Sequence, residues 1–91
     1  FADLISSFLN DLPVQLDLIQ EAIARSDAVD LYRIAHKFKS SCGSLGAMRL
    51  AELFRRLEQA GRQNALEGIA EVLAETRGIA QETVTQLVAM L

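Results

Sequence analysis

From Leu66 onward, residues of one stripe recur in unbroken steps of three and four: Leu66, Ile69, Leu73, Thr76, Ala80, Thr83, Leu87 and Met90. That spacing lines one side of an α-helix and matches no face of a strand. Such a helix cannot stand alone, because its stripe must be covered, and the rest of the chain offers the cover. Phe1, Leu4, Ile5, Phe8 and Leu9 give a short helix to about Asn10, and Pro13 marks a new helical start. Leu12, Leu16, Ile19 and Ile23 then line a face as far as about Arg25, after which Ser26 or Asp27 is placed to cap the next helix. That helix carries Leu31, Ile34, Ala35, Phe38, Cys42 and Leu45, with Gly43 and Gly46 in the region where it stops. A further helix from about Ala47 carries Leu50, Ala51, Phe54 and Leu57, with Gly61 at its C-cap. Gly68 and Gly78 fall inside the last helix at about 1 kcal/mol each relative to Ala, and Gly78 is a candidate bend.

No segment sustains the alternation of a half-buried strand, so the expected class is all-α. The arrangement expected is an up-down-up-down antiparallel four-helix bundle with a short extra N-terminal helix covering one end. A dimeric coiled coil is the alternative for the last stripe, but the other helices need their apolar faces covered too. With 91 residues and 51% hydrophobic content, the chain reads as a single domain over residues 1–91, folding as a monomer without a metal or disulfide. Cys42 has no partner for an internal bridge, and no apolar run approaches the ~18–20 residues of a membrane span, which points to the cytoplasm. The first residue is Phe1 rather than Met, so the expectation is a piece of a longer polypeptide, with the cytosolic end of a membrane-bound sensor kinase as one place for it.

Charge is unevenly distributed. Residues 31–62 hold seven cations against Glu52 and Glu58, a balance of +5, while the remainder carries −8. A basic segment in an acidic chain favours an acidic partner. Nucleic acid fits poorly, since the segment lacks interleaved aromatics and the pI is about 5.0.

The one histidine, His36, lies in this segment, about 100° around the helix from Ala35 and so at the edge of the apolar stripe. Its own face holds Tyr32, Arg33, Lys39, Ser40 and Gly43, at offsets of three, four and seven. A metal site is not expected: Cys42 is about 240° away around the helix, and no carboxylate lies three or four residues from His36. Ser40, Ser41 and Ser44 lack the elbow motif and oxyanion-hole loop of a serine hydrolase. Phosphoryl transfer to the imidazole fits better. A neutral ring nitrogen is a good nucleophile, and the nearby cations favour the neutral form. Lys39 tilts back toward His36, where it can stabilise phosphoryl oxygens. Ser40 and Gly43 leave a low floor that a large partner can approach, although Gly43 also suits close helix packing.

The stretch Ala35-His36-Lys37-Phe38-Lys39-Ser40-Ser41-Cys42-Gly43, continued by Leu45-Gly46-Ala47, Leu50 and Leu57-Glu58-Gln59-Ala60-Gly61-Arg62, resembles the histidine-containing phosphotransfer (HPt) domains of bacterial phosphorelays. The resemblance implies a phosphoryl carrier with no nucleotide site of its own, not an enzyme. His36 is then the phosphorylated residue, Lys39 the phosphoryl-binding cation, and Glu58 the residue that hydrogen-bonds and orients the imidazole. Tyr32, Arg33, Lys37, Ser40 and Gly43 form the docking face. Ser40 departs from the Gly found in many members. The implied partners are response-regulator receiver domains, which bring Mg²⁺ and the acidic aspartate site; the chain itself needs no cofactor. Two other readings remain: a helical interaction or dimerisation bundle with an incidental histidine, and the phosphorylated N-terminal domain of a chemotaxis-type kinase.

Overall fold

The apolar stripe that begins at Ile5 does not stop at Pro13. In the computed structural model, which describes residues 1–91, a single helix α1 (Ala2–Ala24) carries Ile5, Phe8, Leu12, Leu16, Ile19 and Ala22 into the core. This corrects the expected short N-terminal helix followed by a fresh start at Pro13. Proline in a helix interior loses the bond to the carbonyl four residues back and costs about 3 kcal/mol relative to Ala. Here Pro13 lies on the exposed side, while Leu12 and Leu16 are buried on either side of it, so packing of the stripe outweighs the lost bond. Phe1 and Leu4, counted to the apolar face from spacing, are exposed.

Three further helices follow: α2 (Ala28–Ser44), α3 (Met48–Arg62) and α4 (Ile69–Val88). Asp27 caps α2, its carboxylate accepting from the Asp30 backbone N–H at 3.0 Å. The other candidate cap, Ser26, instead takes the left-handed conformation, with φ 54°. It is the hinge of a motif that recurs at the ends of α1, α2 and α3. One residue past each cap the backbone turns left-handed, at Ser26, Gly46 and Asn64. The N–H of that residue and the N–H of the next reach back to helix carbonyls: Asp27 to Ala22, Ala47 to Cys42 and Ala65 to Ala60 close the wider rings, at 2.8–2.9 Å. Each end thereby satisfies carbonyls that the helix leaves open, and turns within three residues. α4 starts later than its stripe suggests, because Gly68 (φ 75°) is its N-cap rather than an interior residue, and Leu66 packs half-buried from the preceding loop. The helix runs on through Gly78.

α1 packs on α2 and α4, and α3 packs on α2 and α4, so the four helices close a ring 38 Å long and 19 Å across. At its centre Phe38 of α2 joins its neighbours: its ring centroid is 5.2 Å from Phe8 of α1 and 5.2 Å from Phe54 of α3. Two threonines of the last stripe, Thr76 and Thr83, are buried without penalty, because their hydroxyls donate to the Val72 and Ile79 carbonyls one turn back.

Gly61 is not a C-cap. It lies within α3, buried, and α3 continues past it to Arg62. A Cβ there would lie 2.6 Å from the Tyr32 backbone nitrogen and 2.7 Å from the Ala28 carbonyl oxygen. The absent side chain is what lets α3 lie directly on the first turns of α2. Because the opposing atoms are backbone, they cannot step aside. Gly61→Ala is expected to cost about 1–3 kcal/mol or more through overpacking, and so to lower Tm by roughly 4 °C or more. An unchanged melting curve would show that the close approach is dispensable.

Candidate functional site

The tight junction at Gly61 brings the exposed edge of α2 against the last turns of α3, and three side chains meet there. His36 projects from α2 with 56% of its side chain exposed, whereas Glu58 of α3 is almost wholly buried at 6%. A carboxylate in such a place must be partnered. One oxygen, Oε2, is 2.5 Å from His36 Nδ1, and the other, Oε1, accepts from Lys39 Nζ at 2.6 Å. Burial pushes the Glu58 carboxyl up, but the bonds from Lys39 and His36 outweigh it and hold the group below its ordinary value. An ionised carboxylate only accepts, so Nδ1 carries the proton and donates it. In the neutral ring the remaining nitrogen, Nε2, is then the one with a free lone pair.

Around this trio the face of α2 divides. The Tyr32 ring stacks on the imidazole, with centroids 5.5 Å apart and planes 15° from parallel. Arg33, in contrast, turns away to pair with Asp30, which also receives Arg25 at 3.0 Å in a network around the start of α2. Lys37, Ser40 and Gly43 are exposed. A Cβ at Gly43 would meet nothing within 4 Å, so of the two roles open to this glycine, close helix packing is excluded and falls to Gly61 instead.

Lys39, expected to stabilise phosphoryl oxygens, has its ammonium bound to Glu58, and its side chain is only 33% exposed. Glu58, the residue that the resemblance sets beside the imidazole, meets it from α3. Arg55 is taken by Glu52, at 2.6 Å, and Glu58 faces inward. Arg62 is a neighbour that spacing did not assign to the site. Its guanidinium carbon lies 5.1 Å from the Tyr32 ring centroid, and its Nη2 is 3.3 Å from the tyrosine hydroxyl and 3.7 Å from Glu58 Oε2. Its position four residues after Glu58, on the same helix face, is the sequence signal that could have found it. Cys42 takes no part: it is buried, and its thiol is pushed up to about 12 by desolvation.

Comparison with protein-family models matches residues 3–91 to the Hpt domain. The chain belongs to the Hpt domain family. Comparisons with curated proteins and with solved structures give no significant match. Members of this family are histidine-containing phosphocarriers of two-component signalling rather than enzymes, and they interact with the receiver domains of response regulators. No helix of the chain is long and apolar enough to cross a membrane.

The depressed Glu58 carboxyl links the site to stability. Its contribution is complete above the ordinary glutamate value of 4.5 and is lost as pH falls through the lower value held in the fold. Between about pH 5 and pH 3, Tm of the wild type is therefore expected to fall more steeply than that of Glu58→Gln, which has no proton to take up. Parallel slopes in thermal melts would show that this carboxylate is not protonated in the transition.

Proposed function

We propose that His36 is the phosphoryl acceptor, and that this chain carries the group between receiver domains of a phosphorelay. The observation that supports it best is the pairing of a buried, ionised Glu58 with Nδ1 of an exposed imidazole, which leaves Nε2 as the nucleophile. In the forward step the Nε2 lone pair attacks the phosphorus of a receiver's phosphoaspartate. The new N–P bond forms as the acyl O–P bond breaks, and the aspartate departs as a carboxylate. The ring keeps its Nδ1 proton throughout and becomes an imidazolium, whose charge Glu58 offsets. In the return step a carboxylate attacks phosphorus and the imidazole leaves neutral, so neither direction needs a separate acid or base. The receiver would hold the divalent metal that offsets the charge of the phosphoryl group.

Lys39 is the residue that changes partners. While His36 is free, its ammonium belongs to Glu58; when a phosphoryl group with more negative charge arrives one turn away, the ammonium is drawn to the phosphoryl oxygens. Ser40, Gly43 and Lys37, with Arg33 and Tyr32 at the border, form the surface that a receiver meets, and the +5 balance of residues 31–62 suits its acidic site. Connections of three to six residues between helices, in a ring 19 Å across, favour neighbours that alternate in direction. That up-down-up-down order sets the docking face of α2 along the outside of a monomeric bundle.

The decisive test is transfer from a phosphorylated receiver domain to purified wild type and His36→Gln. The variant is expected to remain helical and to take up no acid-labile phosphate, whereas labelling equal to wild type would place the acceptor elsewhere. The docking surface is tested separately with Gly43→Leu. Because the site around Gly43 is open and the helix position is exposed, Tm is expected to stay level or to rise, since Gly is about 0.8–1.0 kcal/mol less favourable than the best helix formers. Receiver affinity and transfer rate should fall together. Full affinity with a lowered Tm would remove Gly43 from the docking face.

A further inference from the structure

A single hydrogen bond fixes where one atom of the imidazole sits but leaves the ring free to pivot about the Nδ1···Oε2 line. In this structure the pivot is blocked. Tyr32, one turn before His36 on α2, lays its ring flat against the imidazole, 15° from parallel at 5.5 Å. Tyr32 is itself held from the other helix: Arg62 lies over its ring at 5.1 Å and donates to its hydroxyl at 3.3 Å. The same guanidinium approaches Glu58 Oε2 at 3.7 Å, and Glu58 returns to His36. Four side chains thus close a circuit, His36–Tyr32–Arg62–Glu58, in which the imidazole is held at its edge by a carboxylate and on its face by an aromatic ring. Gly61 makes the circuit possible. Its missing Cβ lets α3 reach the Tyr32 backbone, and the next residue, Arg62, then falls over the tyrosine.

We infer that Tyr32, braced by Arg62, is a positioning residue that sets the plane of the His36 ring and thereby aims Nε2. The inference rests on His36 being the phosphoryl acceptor, and it gives Tyr32 a task separate from docking. A receiver sees Tyr32 only during the encounter, whereas the stack acts on the ring whether or not a partner is present. The aim of a nucleophile matters because a misplaced reacting atom is slow even when its chemistry is intact.

Two readouts that need no receiver test this. The first is the ¹³C relaxation order parameter of the His36 ring; the second is the rate of labelling by phosphoramidate, a small phosphodonor with no docking surface. In wild type and in Tyr32→Phe, which keeps the flat ring, the imidazole order parameter is expected near the rigid value of about 0.85, with labelling rates within about twofold of each other. In Tyr32→Ala the order parameter is expected to fall below about 0.6 and labelling to slow by roughly tenfold. Tyr32→Leu, which keeps an apolar contact with α3 but no flat face, should follow Tyr32→Ala, and it stands in for that variant should it fail to fold. A rigid ring and normal phosphoramidate labelling in Tyr32→Leu would overturn the inference, including the case in which only receiver-dependent transfer is impaired. If wild type takes no phosphoryl group at His36, the carrier reading fails, while the order parameters still report whether Tyr32 fixes the ring.

Discussion

A carboxylate taken out of water must be answered by hydrogen bonds and charge, and the meeting of α2 and α3 is organised by that requirement at Glu58. The cost of leaving such a group unpaired is several kcal/mol, so the two partners that answer it, His36 and Lys39, are held where they are as firmly as Glu58 is buried. The same contact does two jobs. It ties the outer edge of α2 to α3, and it decides which imidazole nitrogen carries a proton. Nothing in the hydrophobic core could do the second, because apolar contact does not distinguish one nitrogen from the other. If Lys39 serves the phosphoryl oxygens as proposed, it is engaged before any phosphate arrives, and binding the phosphoryl group is an exchange of partners rather than an addition.

The helices themselves were legible because their stripes are regular. Leu31, Ala35, Phe38 and Cys42, and likewise Ile69, Leu73, Thr76, Ala80, Thr83 and Leu87, are buried as their spacing predicts. What spacing could not weigh was one local rule against many distant contacts. Pro13 carries a strong breaking signal, yet the helix passes through it, because the residues before and after it are gripped by the core. The glycines were harder still. Gly46 and Gly68 share a positive φ, Gly43 and Gly78 face open space, and Gly61 touches backbone. Five copies of one residue serve three purposes, and only the position of a neighbouring helix tells them apart.

At the site the division falls elsewhere. His36 stood out by its rim position, and Lys39 followed from helical offset, since both lie on one helix and their relation is fixed by its pitch. Glu58 is on another helix, and no periodicity within α2 could find it; its place came from likeness to a family. Its burial is equally invisible to pattern, since a glutamate beside Leu57 in the sequence GluGlnAlaGlyArg reads as an ordinary polar face. Arg62 was missed as part of the site for the same reason. Its guanidinium reaches Tyr32 only because Gly61 closes the distance between helices, and a glycine near the end of a helix more often signals where the helix stops.

The three-residue turn between α2 and α3 has a consequence for how the molecule divides its labour along the chain. Every side chain in the His36 circuit lies between Tyr32 and Arg62, on one helical hairpin, so the contacts that hold the ring draw on neither terminal helix. The hydrogen bonds, ion pairs and ring contacts of these side chains all stay within α2 and α3; α1 and α4 cover the hairpin's inner face through residues such as Phe8 and Leu73. Changes in those outer helices are thus felt as a shift in how often the hairpin is uncovered, not in where Nε2 points. Hydrogen exchange, which reads opening segment by segment, would show such changes as faster exchange across the bundle. Drift in α1 and α4 can then tune the lifetime of the folded carrier while its chemistry stays constant.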